Sequence, residues 1–181
     1  NKYFRHSLIN NGFDVVEVEL DEVIPESVKI LVIADVRHAF TASGMEVLEA
    51  YINRGGNLLI AVEPDKKELV SPLLSLLGVE ILPGRLVKQQ ENYPVDFILA
   101  KPTREAESLS YIFKDLARRE QVITQPGCVG LSYIPGSDFR VTPLFVTDST
   151  CWSEVETLDF RDEEVILNPL AGEKQMAYTT M

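Results

Sequence analysis

Two short polar segments, each directly after an apolar run, contain the side chains best suited to bind a ligand. Asp35 and Arg37 follow the run at residues 28–34, and Glu63 and Asp65 follow the run at residues 57–62. In open α/β sheets, ligands bind at the carboxyl ends of the strands. Acidic residues at strand ends also serve as solvated or capping groups. We predict these four residues as candidate ligand-binding residues that could hold a cation or a polar molecule.

A nucleophilic role is the alternative, and its candidate is Cys128. Residues 126–130 read Pro-Gly-Cys-Val-Gly, close to the Gly-x-Cys-x-Gly turn of class I glutaminases. Pro126 stands where the first glycine belongs, and the two histidines, His6 and His38, precede the cysteine instead of following it. A thiol without a partner base is a poor nucleophile. We therefore predict no catalytic residue and expect Cys128 to be a small buried residue on a strand. A divergent glutaminase or hydrolase using Cys128 is the alternative.

The remaining residues with distinctive chemistry give weaker indications. The spacing of Cys128 and Cys151 permits a disulfide and does not establish one. Two cysteines and two separated histidines match no metal-site spacing, so we predict no metal and no cofactor. Trp152 and Tyr93, with the strand-end carboxylates, suggest a second alternative, a module that binds sugar or peptidoglycan. A core or edge position for Trp152 is the simpler interpretation.

Composition excludes several classes of protein. The chain has 181 residues, with 28 Asp and Glu against 17 Lys and Arg, and a net charge of -11. This acidity and the scattered cations disfavour nucleic-acid binding. Every apolar run is of strand length, well short of the roughly 20 residues that span a bilayer. The chain begins within a helical pattern and ends within a strand-like one, so we expect it to be truncated at both ends.

The first half alternates helix and strand. A helix at residues 4–9 should end at Gly12, and an alternating strand should follow at residues 13–20. Two apolar strands, at 28–34 and 57–62, flank a helix that a capping box at Ser43 should begin and Gly55-Gly56 should end. This is a right-handed βαβ unit. Pro72, preceded by Ser71, should open a short helix that ends at Gly78.

The second half is richer in strands. Its predicted helix spans residues 105–119, and its predicted strands lie at residues 95–100, 122–123, 129–134 and 139–146. No Ser/Gly-rich linker separates the halves, so we predict a single α/β domain, residues 1–181. Residues 1–82 form a regular core of a doubly wound, mostly parallel sheet that lacks its first strand, and residues 83–181 form a β-richer half.

Several segments together resemble one family. They are residues 11–15, Pro25 with 28–34, Tyr51 with Gly55-Gly56, Glu63-Pro64, residues 73–79 and residues 143–152. In this order they resemble the auxiliary components of ABC-type transport systems, which include the gliding-motility-associated auxiliary proteins. The resemblance covers most of the chain. The family's first strand and the turn after it would lie before Asn1.

The resemblance implies a fold, a place and a set of partners. The fold would be like that of class I glutamine amidotransferases, with a flavodoxin-like core, but without the catalytic Cys–His pair. The domain would lie on the extracytoplasmic side of the cytoplasmic membrane, anchored by segments outside residues 1–181. Its partners would be the permease or ATPase subunits of an ABC-2-type exporter.

Overall fold

A computed structural model describes residues 8–157, 160 and 168–181. The chain divides into two compact units. The first comprises residues 1–33 and 40–60, and the second comprises residues 34–39 and 61–181. The single-domain organisation stays a prediction. The helix expected at residues 4–9 falls partly outside the described residues, but residues 8–10 are helical and a turn follows at residues 11–12.

The first unit contains a βαβ arrangement. Strand β1 (Ile30–Ile33) is followed by helix α1 (Ala42–Asn53) and strand β2 (Asn57–Ile60). The two strands pair in parallel, with Ile30 opposite Asn57 and Ile33 opposite Ile60. Parallel neighbours need a crossover between them, and α1 supplies it. The predicted βαβ unit is therefore confirmed, and its handedness stays a prediction.

Both ends of α1 differ in detail from the sequence prediction. The helix begins two residues earlier than a Ser43 cap would allow, because the Thr41 hydroxyl accepts the N–H of Gly44 at 3.0 Å. At the other end, Gly55 has a φ of +86°, which a side chain disfavours. Gly56 has no such φ. Its missing side chain instead leaves room for the ring of Tyr51.

The strand predicted at residues 13–20 is not present in the structure, so that prediction was wrong. Residues 13–19 carry no strand assignment, and Val16 is 66% exposed. An alternating sequence forms a strand only where a neighbouring strand accepts its hydrogen bonds. Among the described residues, β1 pairs with β2 alone.

Helix α2, in the second unit, begins earlier than predicted. A 3-10 turn at Pro64–Lys66 leads directly into α2 (Lys67–Leu76), so Pro72 lies inside the helix and does not open it. Pro64 holds the favourable early position instead, where its missing N–H costs nothing. The Ser71 hydroxyl donates to the carbonyl oxygen of Lys67 at 2.8 Å, so this serine belongs to the helix interior.

The second unit contains the strand-rich part that the sequence predicts. Its strands are β3 (Val79–Ile81), β4 (Arg85–Val87), β5 (Phe97–Pro102), β6 (Ile123–Pro126), β7 (Leu131–Tyr133), β8 (Phe145–Thr147) and β9 (Trp152–Glu154). All of their pairs are antiparallel: β3 with β7, β4 with β9, and β5 with both β6 and β8. The strand expected at residues 129–134 is shorter than predicted, and the strand expected at residues 139–146 begins later, after Pro143, and extends to Thr147.

The final residues connect two of these sheets. Thr179 forms bridges with Leu131 of β7 and with Val146 of β8. The N–H of Leu131 donates to the Thr179 carbonyl at 2.8 Å, and the N–H of Thr180 donates to the Phe145 carbonyl at 3.0 Å. The strand-like sequence before Met181 thus pairs on both sides.

The helix predicted at residues 105–119 is two helices. α3 (Arg104–Leu109) and α4 (Tyr111–Arg118) meet at Ser110, whose backbone is extended at φ -151° and ψ 141°. The Ser110 hydroxyl accepts the N–H of Ile112 at 3.2 Å and so caps the second helix. Serine favours such a cap over a helix interior, which explains why the apolar periodicity continues while the helix does not.

The core of the second unit includes two apolar clusters. One contains Leu86, Ile98, Cys151 and Tyr178, and the other contains Val87, Val95 and Trp152. Trp152 is buried, as the simpler interpretation expected, and its Nε1 donates to Glu154 Oε2 at 3.2 Å. The other Glu154 oxygen accepts the N–H groups of residues 156 and 157. These hydrogen bonds satisfy a fully buried carboxylate.

The architecture is therefore a mixture of helices and small sheets. Within the described residues, β1 and β2 are the one parallel pair. The finer prediction, a doubly wound sheet like that of the glutamine amidotransferases, stays a prediction.

Candidate functional site

Asp35 and Arg37 form an exposed ion pair in the segment after β1. Nη2 of Arg37 lies 2.7 Å from Oδ2 of Asp35, and Nε lies 3.1 Å from the same oxygen. The hydrogen bond and the positive charge of Arg37 hold the pKa of the Asp35 carboxyl below its usual value. Asp35 also has a φ of +51°, a conformation that aspartate tolerates better than most residues. A carboxylate so engaged has less capacity left for a cation.

Glu63 and Asp65 lie at the beginning of the 3-10 turn after β2. Glu63 occupies the N-cap position, but its side chain accepts no capping hydrogen bond. Asp65 lies 3.6 Å from the ammonium of Lys66. The charge of Lys66 also contributes to lowering the pKa of Asp35. Whether any of the four predicted residues binds a ligand stays a prediction.

The described residues contain no group of three or more His, Cys, Asp or Glu that could hold a metal ion. His38 is exposed, and His6 lies outside the described part of the chain. The strand-end segments are thus charged and exposed, with opposite charges side by side. Such a surface suits a polar contact with another molecule better than an enclosed reaction.

Cys128 lies in the connection between β6 and β7, not on a strand as predicted. Its thiol packs against the core cluster of Leu86, Ile98, Cys151 and Tyr178. Burial raises the pKa of this thiol to about 12. No basic side chain in the described residues hydrogen-bonds to it, so it is held as the neutral thiol at physiological pH. Cys128 and Cys151 are both free thiols in this structure.

An open cavity of about 600 Å³ lies where β5 meets α3. The Thr103 side chain positions this region, because its hydroxyl donates to the Pro143 carbonyl at 2.6 Å and accepts the N–H of Ala106 at 3.0 Å. The charged side chains that line the cavity are Lys101, Arg104, Glu105, Glu107 and Glu120.

This cavity was not predicted from the sequence. Four of its charged residues lie close together at 101–107, but its lining also includes Pro143, Val146 and Thr179. These residues join the site only through the pairing of β8 with β5 and with the C-terminal residues. No local sequence pattern predicts a pairing between residues so far apart in the chain.

Comparison with known proteins identifies the family. A family model described as an ABC-type uncharacterized transport system matches residues 1–180. The chain belongs to this family of ABC transport auxiliary components. The resemblance noted in the sequence is thereby confirmed. No curated protein and no solved structure matches the chain significantly.

Membership in the family of auxiliary components implies association with an ABC transporter and points to the cell envelope. None of the helices in the described residues combines the length and the apolar character needed to cross a bilayer.

Proposed function

We propose that this chain is a non-catalytic domain of an ABC-2-type transport system that lies on the extracytoplasmic side of the cytoplasmic membrane. It acts by contact with the permease or ATPase subunits, or with a ligand, and segments outside residues 1–181 anchor it. The observation that carries the proposal is the family match over residues 1–180. We also propose that this transport system takes part in gliding motility, because the chain resembles the gliding-motility-associated auxiliary proteins.

The state of Cys128 supports a non-catalytic role. The glutaminase alternative requires a thiolate and a base that accepts its proton. The thiol of Cys128 has a pKa of about 12, and no basic side chain in the described residues hydrogen-bonds to it. Of the two aromatic residues on which the sugar-binding alternative relied, Trp152 is buried and offers no ring face for stacking on a sugar, whereas Tyr93 is 52% exposed and stacks on Phe97.

The fold proposed from the family resemblance is the glutamine-amidotransferase-like one. The βαβ unit of β1, α1 and β2 supports it, since such units build doubly wound sheets. In such a sheet the segments after β1 and β2 lie at the ligand-binding edge. We therefore propose Asp35, Arg37, Glu63 and Asp65 as the contact site for a transporter subunit or ligand.

Membrane fractionation and protease protection test the location. The protein expressed from its natural gene should be found in the membrane fraction, and protease added to spheroplasts should digest this domain. A cytoplasmic marker that stays intact shows that the spheroplasts are sealed. A domain that resists protease until the cells are lysed, or a protein in the soluble fraction, would contradict the proposed location.

Copurification tests the contact site. The double variant Asp35→Ala/Arg37→Ala should recover less of the transporter subunits than the unchanged protein does. The matched control is Asp138→Ala/Arg140→Ala, which removes an exposed Asp and Arg at the same spacing elsewhere in the second unit. Equal losses in both variants would show that Asp35 and Arg37 are not a specific contact.

A further inference from the structure

The corner between α3 and α4 exposes three large apolar side chains on either side of Ser110. Leu109 is 56% exposed, Tyr111 is 80% exposed and Ile112 is 61% exposed. We call these three residues the apolar corner. Single exposed apolar residues are common on protein surfaces, but three large ones at one corner form a patch of the kind that contacts a partner or a membrane.

The two helices are held to their own unit by other residues. Ala106 of α3 is fully buried. The ring of Phe113 in α4 packs edge to face on Phe145 of β8, with 5.7 Å between ring centroids. These contacts fix the helix pair to the β5–β8 sheet and leave the apolar corner outside the core.

Positive charge lies beside the apolar corner in an otherwise acidic chain. Residues 111–119 contain the cations Lys114, Arg118 and Arg119 and the single carboxylate Asp115, whereas the whole chain has a net charge of -11. Arg118 and Arg119 both pair with Asp115, and the hydrogen bond from Arg118 lowers the pKa of that carboxyl. Lys114 forms no ion pair within the described residues.

The neighbouring carboxylates belong to a different surface. Glu105, Glu107 and Glu120 line the cavity between β5 and α3, and none of the three apolar-corner residues lines it. Lys114, Arg118 and Arg119 do not line it either. The apolar corner and its cations, taken together as one surface, lie outside the cavity lining, which contains these three carboxylates together with Lys101 and Arg104.

We propose that this surface docks on a bilayer that contains anionic phospholipid. Leu109 and Ile112 would enter the boundary between headgroups and acyl chains, and Tyr111 would lie at headgroup level, where amphipathic rings are favoured. Lys114, Arg118 and Arg119 would face the anionic headgroups. Charges beyond about 8 Å are largely screened at physiological salt, so the carboxylates that oppose this attraction are those beside the cations, Asp115 and Glu120.

This inference goes beyond the proposed function. An anchor outside residues 1–181 would place the domain near the membrane, whereas the apolar corner gives the domain a lipid contact of its own and an orientation. The two are tested separately, since vesicle binding uses the purified chain and the location uses whole cells.

Vesicle flotation with the purified chain tests the proposal. The chain should float with vesicles of phosphatidylglycerol and phosphatidylcholine in equal parts and stay unbound with phosphatidylcholine alone. Tyr111→Ser/Ile112→Ser should reduce the bound fraction about tenfold, because it removes two apolar anchors. Lys114→Gln should reduce it roughly fivefold, the effect of one cation at an anionic surface.

Matched control variants distinguish binding through this surface from nonspecific adsorption to vesicles. Tyr133 is 62% exposed and Lys101 is exposed, and both lie outside the apolar corner and its cations. Tyr133→Ser and Lys101→Gln should bind as the unchanged chain does, and circular dichroism confirms that each variant is folded. Absence of binding to anionic vesicles, equal binding to neutral ones, or equal losses in the controls would overturn the proposal. Loss of transporter copurification in Tyr111→Ser without vesicle binding would assign the surface to a protein partner instead.

Discussion

Replacing Gly56 with alanine should destabilise the chain because the new methyl group meets a buried ring. A Cβ built on Gly56 would lie 2.3 Å from Cε1 and 2.4 Å from Cζ of Tyr51, where ordinary contact begins at 3.4 Å. Tyr51 is only 1% exposed, and its hydroxyl donates to the Asn57 carbonyl at 3.1 Å. Relief therefore requires the ring to move by about 1 Å or more, into neighbours that are already packed.

The expected cost combines two effects. Overpacking of a core costs about 1–3 kcal/mol, and loss of the Tyr51 hydrogen bond costs about 1 kcal/mol more. Gly56→Ala should thus lower the free energy of unfolding by about 2–4 kcal/mol. The neighbouring Gly55→Ala meets nothing within 4 Å and suffers only its φ of +86°. It should cost about 1 kcal/mol.

Urea unfolding followed by circular dichroism measures both values. The critical result is which of the two substitutions lowers the free energy of unfolding more. If backbone strain were the only cause, Gly55→Ala would be the costlier change. A background of Tyr51→Leu removes the ring, and Gly56→Ala should then cost less than half as much. A loss below about 0.5 kcal/mol for Gly56→Ala in the unchanged chain would refute the close contact with Tyr51.

Three further predictions concern the second unit. Thr103→Val, which removes both the cap of α3 and the bond to Pro143, should lower the free energy of unfolding by about 1–2 kcal/mol, and Thr103→Ser should restore most of it in the same urea assay. Cys128, whose thiol has a pKa of about 12, should react with iodoacetamide near neutral pH far more slowly in the folded chain than in urea, as mass spectrometry can follow; equal rates would show an accessible thiolate. Burial raises the pKa of Asp148, but hydrogen bonds from Lys88 and Thr150 outweigh it and lower that pKa overall. The stability contributed by Asp148 is therefore present above the unfolded carboxyl pKa near 3.8 and should be lost as the pH falls below it. Thermal unfolding of Asp148→Asn should show a weaker acid dependence, and an unchanged profile would contradict the role of this carboxylate.

Local sequence signals predicted the elements whose cause is local. The apolar runs at β1 and β2 and the helix between them were found because a buried parallel strand needs a continuous aliphatic run. Gly55-Gly56 was also identified as the end of α1, because glycine commonly ends a helix. In the structure, Gly55 has the left-handed conformation, and Gly56 is the one that lies close to the Tyr51 ring. The family could also be identified from the order of short motifs along the chain.

The errors arose where a local pattern permits two outcomes. The periodicity of residues 105–119 is the same whether Ser110 continues a helix or caps a new one. Residues 13–20 alternate as a strand does, but a strand exists only with a partner. Pro72 fits the first turn of a helix, but the helical segment already begins at Pro64, so Pro72 lies inside the helix.

By itself, the sequence determined the acidic charge, the βαβ unit, the departure of residues 126–130 from the glutaminase turn and the family. These follow from composition, periodicity and residue order, which need no knowledge of distant contacts. Only the tertiary structure decided that Cys128 packs beside Cys151 and Tyr178, that β5 lines a cavity with Pro143, Val146 and Thr179, and that Leu109, Tyr111 and Ile112 remain outside the core. Each of these depends on pairings between residues far apart in the chain, and the same short apolar segment can be buried or exposed according to what packs against it.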